Sequence, residues 1–341
     1  MNITSSPRIA YPSRSSFKTS WTNVLMILLG VAGLISPGDA EEVVRPEIIK
    51  LPGGLLDRME NTPVIFAGRK ILLSNIRDDS KVNTDGYVAS MTLLADDLDT
   101  GERICEFGKG HSFVSGYVDG DTLHAFASRG TNHHWFSDIT HFWTTDLVTW
   151  HEEPAINRTG DEHLFNTSVC RDDQGYLMAY ESSSPVTFCF RFARSTDLKN
   201  WKTIPNLIFT GAQKEYSACP VIRYFAPYYY VIYLHAPVAG HNGHVSYITR
   251  SKDLQTWELS PLNPVLEAGE KEGTNNSDVD LIEIDRNTYL FYAAGNQANW
   301  TTLRTAIHPG PLKQFFEGWF PESPAPENVV SAVVAPTPLP E

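Results

Sequence analysis

The 341-residue sequence predicts an all-β fold, a five-bladed β-propeller, from two repeats that run in step. The first repeat is a turn motif. Asp-Leu-x-x-Trp occurs at Asp146–Trp150, Asp197–Trp201 and Asp253–Trp257 (TTDLVTW, STDLKNW, SKDLQTW), spaced by 51 and 56 residues. Asp97-Leu98 is a degenerate copy 49 residues before the first, and Pro311-Leu312 a weaker echo 58 after the last. The second repeat is a set of aromatic-rich runs ending at Asn75, Phe126, Tyr180, Tyr233 and Tyr292, with steps of 51, 54, 53 and 59 residues. Self-similarity at about 50 residues marks a propeller or another array of supersecondary units.

Each aromatic run is short and β-branched or aromatic. Turn residues bound the runs, namely Gly68, Gly120, Gly175, Pro227 and Asn287, so they read as strands. Upstream of each lies a further strand-like segment: NTPVIF, SFVSGYV, NTSVCR, SACPVIRY and NSDVDLIE. Helical periodicity is confined to Leu312–Phe316. Five modules of about four antiparallel strands make a closed propeller. A β-sandwich has no reason to repeat at a single period. The motif Asp is expected to close the turn between outer strands by accepting backbone N–H groups. The Trp is expected to bury its ring between blades. Asp146, Asp197 and Asp253 are therefore scaffold.

The ends carry different signals. Arg8, Arg14 and Lys18 precede the apolar run Val24–Ile35, followed by Gly38-Asp39-Ala40, so residues 1–40 read as a cleaved signal peptide. Twelve apolar residues are short for a bilayer span, so no membrane span is expected after cleavage. The expected location is secreted or periplasmic. Residues 43–320 form the propeller domain, and 321–341 read as a Pro-rich, unpacked tail. The formal charge is −13, and without residues 1–40 it becomes −15 (24 Lys+Arg against 39 Asp+Glu), which argues against nucleic acid as a partner. Four scattered cysteines fit neither a zinc site nor a disulfide scaffold, and whether Cys170 and Cys219 are bridged is open. There is no G-x-G-x-x-G and no P-loop, so no cofactor is expected, and no metal-ligand set is read.

In a propeller the first strand of each blade lines the axis, where side chains from distant parts of the chain converge. The candidates are Glu60-Asn61-Thr62, His111-Ser112, Asn166-Thr167-Ser168, Glu215-Tyr216-Ser217 and Asn275-Asn276-Ser277-Asp278. Amides, hydroxyls, an imidazole and carboxylates make a ring suited to a carbohydrate. Trp135 is a candidate platform for a sugar face, with Arg129, His133 and His134 in the same loop.

These segments resemble the five-bladed, furanosidase-like glycoside hydrolases, the superfamily that includes families 32, 43, 117 and 130, over nearly the whole mature chain. The likeness rests on the S-x-D-L-x-x-W turns, on DDQGYLMAY, and on ACPVIRY followed by YYYVIYL. It implies the propeller fold and action on a glycosidic bond. Families 32 and 43 place one Asp in blade one, another in blade three and a Glu in blade four. Asn61 and Thr62, Asn166 and Ala218 stand at the matching positions here, so all three acids are absent from their usual places.

One reading is a rebuilt hydrolytic site, with Glu60, Asp278 and Glu215 as catalytic carboxylates. Asn61, His111, Arg129, His133, Trp135, Asn166, Glu181, Asn276 and Asp280 would then contact substrate. The alternatives are a propeller that binds glycans without cleaving them, or a phosphorylase resembling family 130. A sialidase is set aside, because its turns carry a Gly after the Asp-x pair and it needs three arginines. The expectation is an exo-acting glycoside hydrolase.

Overall fold

The computed structural model describes residues 44–334 apart from 57, 134, 187, 212–215, 237–242, 297–300, 322–328 and 332. The chain forms five antiparallel sheets around one axis, a five-bladed β-propeller. Blade one is Asn61–Phe66, Arg69–Ile76, Thr92–Asp97 and Arg103–Phe107. Blade two is His111–Asp119, Thr122–Gly130, Phe136–Thr144 and His151–Ile156. Blade three is Leu164–Asp172, Gly175–Ser182, Cys189–Ser195 and Lys202–Phe209. Blade four is Tyr216–Phe225, Tyr228–Ala236, Val245–Ser251 and Thr256–Leu259. Blade five takes Asn275–Ile284, Asn287–Gly295 and Thr301–His308 from the C-terminal side of the chain.

Its outer edge comes from the other end of the domain. Ile49–Lys50 and Leu55–Leu56 both pair antiparallel with Thr301–His308, so the ring closes by joining early and late chain in one sheet. A buried polar knot fixes that closure. The Lys50 ammonium is ion-paired with Glu272 and also donates to Asn276 Oδ1 at 2.7 Å. Tyr292 donates its hydroxyl to Glu272 Oε1 at 2.6 Å.

The apolar core lies between blades. One cluster joins Val64, Ile71 and Leu93 of blade one to Ala125 and Phe142 of blade two. Another joins Leu72 of blade one to Ile282, Phe291 and Leu303 of blade five. Gly116 permits this spacing, since a Cβ there would stand 2.7 Å from Leu73 Cδ1.

The repeated turns behave as scaffold. Asp253 Oδ1 accepts the N–H groups of Gln255 (2.8 Å) and Thr256 (2.7 Å), and Asp146 and Asp197 repeat the pattern. The leucines of the motif hold a left-handed backbone, with φ of 62°, 62° and 63° at Leu147, Leu198 and Leu254. Trp257 is fully buried, stacks on Phe209 of blade three at 4.5 Å, and donates its N–H to Leu254 O at 3.0 Å.

Leu312–Glu317 is helical, where the periodicity placed a helical turn. The tail differs from expectation at two places. Val329–Ser331 pairs with the outer strand of blade four and Val333–Val334 with that of blade three, satisfying edge groups that would otherwise be open. Residues 1–40 lie outside the described residues. No helix among the described residues is long and apolar enough to cross a membrane.

Candidate functional site

The inner strands are not regular. Register breaks occur between Ser112 and Ser115, Phe165 and Thr167, Ala218 and Val221, and Ser277 and Asp280, so blades two to five each carry a bulge at the same level. Phe113, Cys219 and Asp278 take a left-handed backbone there, with φ of 58°, 53° and 52°. A bulge interrupts the strict alternation of a strand and re-aims a side chain. Here it turns four blades' side chains toward the axis.

The result is a polar pocket at one end of the axis, lined by Glu60, Asn61, Phe113, Asn166, Cys219 and Asp278 among others. Its free space is small, about 30 Å³, room for about two waters. At its wall Thr167 and Ser115 of the neighbouring blade join their hydroxyls at 2.5 Å. Asp280, also in the lining, accepts at Oδ1 from Arg223 at 2.5 Å and from the Leu281 N–H at 2.7 Å.

The buried carboxyls of Glu60, Asp278 and Asp280 line the pocket, and that of Glu181 is hydrogen-bonded to two of the other lining residues, Asn166 and Cys219. Glu60 precedes the inner strand of blade one and is ion-paired with Arg77 at 3.4 Å. Arg77 also donates to Ser112 Oγ at 3.1 Å and lies over the Phe113 ring. Asp278 accepts from the Cys219 thiol at 2.8 Å and from the Ser277 hydroxyl at 2.5 Å. Burial, reinforced by the Glu60 charge, pushes the Asp278 carboxyl up to about 6. Glu181 ends the second strand of blade three, and its Oε2 accepts from Asn166 Nδ2 (3.0 Å) and the Cys219 N–H (3.1 Å). Burial pushes Glu181 up to about 7 despite those two donors, and Asp278 and Glu60 add to the rise.

Asn61 sits between blades one and five. Its Nδ2 donates to the carbonyls of Asp278 (3.1 Å) and Met59 (3.2 Å), while its buried Oδ1 has no hydrogen-bond partner. Such an orphan acceptor in a native core calls for a ligand or a water.

Several residues expected at the site are held elsewhere. His111 is buried in blade two with both ring nitrogens engaged, Nε2 with Thr140 Oγ1 (2.9 Å) and Nδ1 with Lys109 O (3.1 Å). Burial depresses its basicity further. Arg129 is exposed at a strand end opposite His111. His133 is exposed and meets Asn83 Oδ1 at 2.8 Å. Asn276 is fully buried and serves the Lys50 knot. None of these four lines the pocket. Asp280 lines the pocket but is committed to Arg223. Glu215 and His134 lie outside the described residues. Cys170 and Cys219 are free thiols.

Trp135 is 41 % exposed and stacks on His163 at 4.9 Å. It belongs to an aromatic series that continues through Phe165 (6.0 Å) to the pocket residue Phe113 (5.8 Å from Phe165). Glu181, expected to contact substrate, is buried and held by Asn166 and the Cys219 N–H. Its signal was an acid immediately after an apolar strand, in YLMAYE.

No sequence-family profile and no curated protein sequence matches the chain. Solved structures do match in fold. A protein of the GH130 family of mannoside phosphorylases, a family that contains glycoside hydrolases targeting β-1,2 mannosidic linkages in Candida mannan, superposes with a TM-score of 0.56. Its identity is 13%, over 86% of this chain and 98% of that one. A GH32 β-fructofuranosidase from Bombyx mori gives 0.52 at 14% identity, over 77% and 62% of the two chains. An arabinanase from Bacillus subtilis gives 0.51 at 11%, over 74% and 95%. The chain thus shares the propeller fold of these carbohydrate-active enzymes.

Proposed function

We propose that this protein is a secreted, exo-acting glycoside hydrolase that cleaves a glycosidic bond at the end of an oligo- or polysaccharide. The observation that carries the reading is the meeting of Glu60 and Asp278 on one axial pocket, in unlike surroundings. Glycoside hydrolysis needs one carboxyl to protonate the leaving oxygen and one carboxylate as base or nucleophile. Asp278, raised to about 6 by burial, is the proton donor in this scheme, and Glu60, salt-bridged to Arg77, is the carboxylate. Glu181 is a further buried carboxyl nearby, itself raised to about 7 by burial with a contribution from the Asp278 and Glu60 charges.

The small free space of the pocket supports exo action, because it admits no more than the edge of one sugar at a chain end. Its small volume means that a sugar presents one edge to the acids and keeps the rest of its ring at the mouth. The orphan Oδ1 of Asn61 accepts a hydroxyl of that edge, and Trp135 offers its face to a following sugar. Hydrolysis is favoured over phosphorolysis because, among the described residues, no Lys, Arg or His lines the pocket and the nearby Arg77 is already ion-paired with Glu60, whereas phosphate as nucleophile needs free cations there. The carbohydrate substrate is the only partner proposed.

Binding without cleavage is the second reading, favoured by Asn166 and Ala218 at positions where the resembling families carry acids. Reducing-sugar release from a panel of plant, algal and host glycans separates the two. Hydrolysis predicts turnover by the wild type and a loss of at least about a hundredfold in Glu60→Gln and in Asp278→Asn. Calorimetric binding with no turnover of any glycan would replace the enzyme by a receptor.

A further inference from the structure

We infer that Cys219 is a positioning residue of this site, its thiol holding the Asp278 carboxyl while its main chain holds Glu181. The inference rests on the reading of the pocket as a carbohydrate site. An independent feature of the same pocket points to a ligand: Asn61, 7% exposed, keeps a buried Oδ1 without a donor, which a ligand hydroxyl satisfies.

The geometry has a local cause. Cys219 and Asp278 are both left-handed bulge residues, on neighbouring blades, with φ of 53° and 52°. The matched bulges turn the two side chains toward each other, and the thiol donates to Asp278 Oδ1 at 2.8 Å. The Cys219 N–H donates to Glu181 Oε2 at 3.1 Å. Asn166 completes a bracket, giving one N–H to Glu181 at 3.0 Å and approaching Cys219 Sγ at 3.3 Å. One residue therefore touches both raised carboxyls, through atoms that a substitution can separate: side chain to Asp278, main chain to Glu181.

The thiol is suited to donating and not to attacking. Burial, then the charges of Asp278 and Glu181, hold it well above the usual thiol range, so it stays protonated across neutral pH. A donor on an ionised carboxylate stabilises the charged form. Cys219 thus opposes the burial and the Glu60 charge that raise Asp278. The groups facing Asp278 are Glu60 and Arg77 from blade one, Glu181 from blade three, Cys219 from blade four and Ser277 beside it.

The test is a pH titration of the Asp278 side-chain carboxyl by ¹³C NMR on the whole protein, assigned with Asp278→Asn. It is run on wild type, Cys219→Ala and Cys219→Ser. Loss of the donor moves the Asp278 midpoint upward by about half a unit or more in Cys219→Ala, and the serine hydroxyl restores it. Alanine is strained at a left-handed backbone, so Cys219→Gly, which lacks the thiol but accepts that φ, carries the test if the alanine variant does not fold. A midpoint unchanged by removing the thiol, or a serine variant shifted as far as the alanine one, overturns the inference. The titration needs no substrate. Failure to find a cleaved glycan therefore counts against the proposed function, while the titration still decides the role of Cys219. Where a substrate is found, the limb of the pH–rate profile governed by Asp278 moves upward in the alanine variant by the same amount.

Discussion

Asn61 donates its side-chain amide to the main-chain carbonyl of Asp278 across 3.1 Å, although 217 residues separate them. The bond links the first blade to the last at the mouth of the axis. It holds the loop that carries Glu60 against the bulge that carries Asp278. Closure of the ring and assembly of the site are therefore one event. Whatever loosens the joint between blades one and five also spreads the two acids, and the measurable consequences divide between stability and activity.

Glu181 predicts a stability change with a definite sign. Its folded carboxyl is raised to about 7, against about 4.3 in an unfolded chain. The folded state thus binds the Glu181 proton more tightly, and this contribution is complete below pH 4. It is lost as pH rises from about 4 to 7, through the folded value. Glu181→Gln removes the titration while keeping an acceptor for Asn166 and the Cys219 N–H. The variant is expected to be more stable than wild type at pH 8 by on the order of 3–4 kcal/mol, and little different at pH 4. Denaturant melts at the two pH values check it. An equal difference at both would mean that packing, not the buried charge, sets the effect.

The Lys50 knot predicts a stability loss that is selective for ring closure. The ammonium reaches Glu272, Asn276 Oδ1 (2.7 Å) and Glu267 O (2.8 Å) from a strand only two residues long. Lys50→Met leaves Glu272 buried, with the Gly269 N–H at 2.9 Å, the Tyr292 hydroxyl and a distant Arg304 at 3.8 Å for compensation. Breaking a fully buried pair costs about 3–5 kcal/mol, and the Lys50 side chain is 30% exposed, so a loss of about 2 kcal/mol is expected. Hydrogen exchange should show early opening of Thr301–His308 while the turns of blades two to four stay protected. Uniform exchange throughout the ring would rule out a local latch.

Much of this architecture was legible because repetition amplifies weak signals. Trp150, Trp201 and Trp257 each pack on the preceding blade, and three copies of one turn fixed the period. Glu60, Asn61, Asn166 and Asp278 were found because inner strands must line the axis. What escaped was local. Nothing in YSACPVI or NNSDVDL announces a bulge, so the direction of Cys219 and Asp278 could not be read by alternation. His111 and Asn276 had the right residue type at the right level, but Thr140 and Lys50 use their polar atoms first. Ile49–Lys50 and Leu55–Leu56 are too short for any periodicity, so the closing strands left no trace.

Trp135 separates recognition from chemistry. Its ring is 41% exposed and rests on His163, and the aromatic series behind it reaches the pocket through Phe165 and Phe113. A sugar stacked there touches no acid. Trp135→Ala therefore removes binding shared equally by ground state and transition state, which raises KM and leaves kcat unchanged. An aromatic face is worth about 1 kcal/mol beyond its area, so KM on an oligosaccharide should rise about five- to tenfold. A substrate with a single sugar at the pocket and a small leaving group does not reach the platform, and its KM should not move. The exposed ring contributes little to the core, so the melting temperature should change by no more than a few degrees. A fall in kcat on both substrates would instead place Trp135 among the groups that shape the acids, through Phe165 and Phe113.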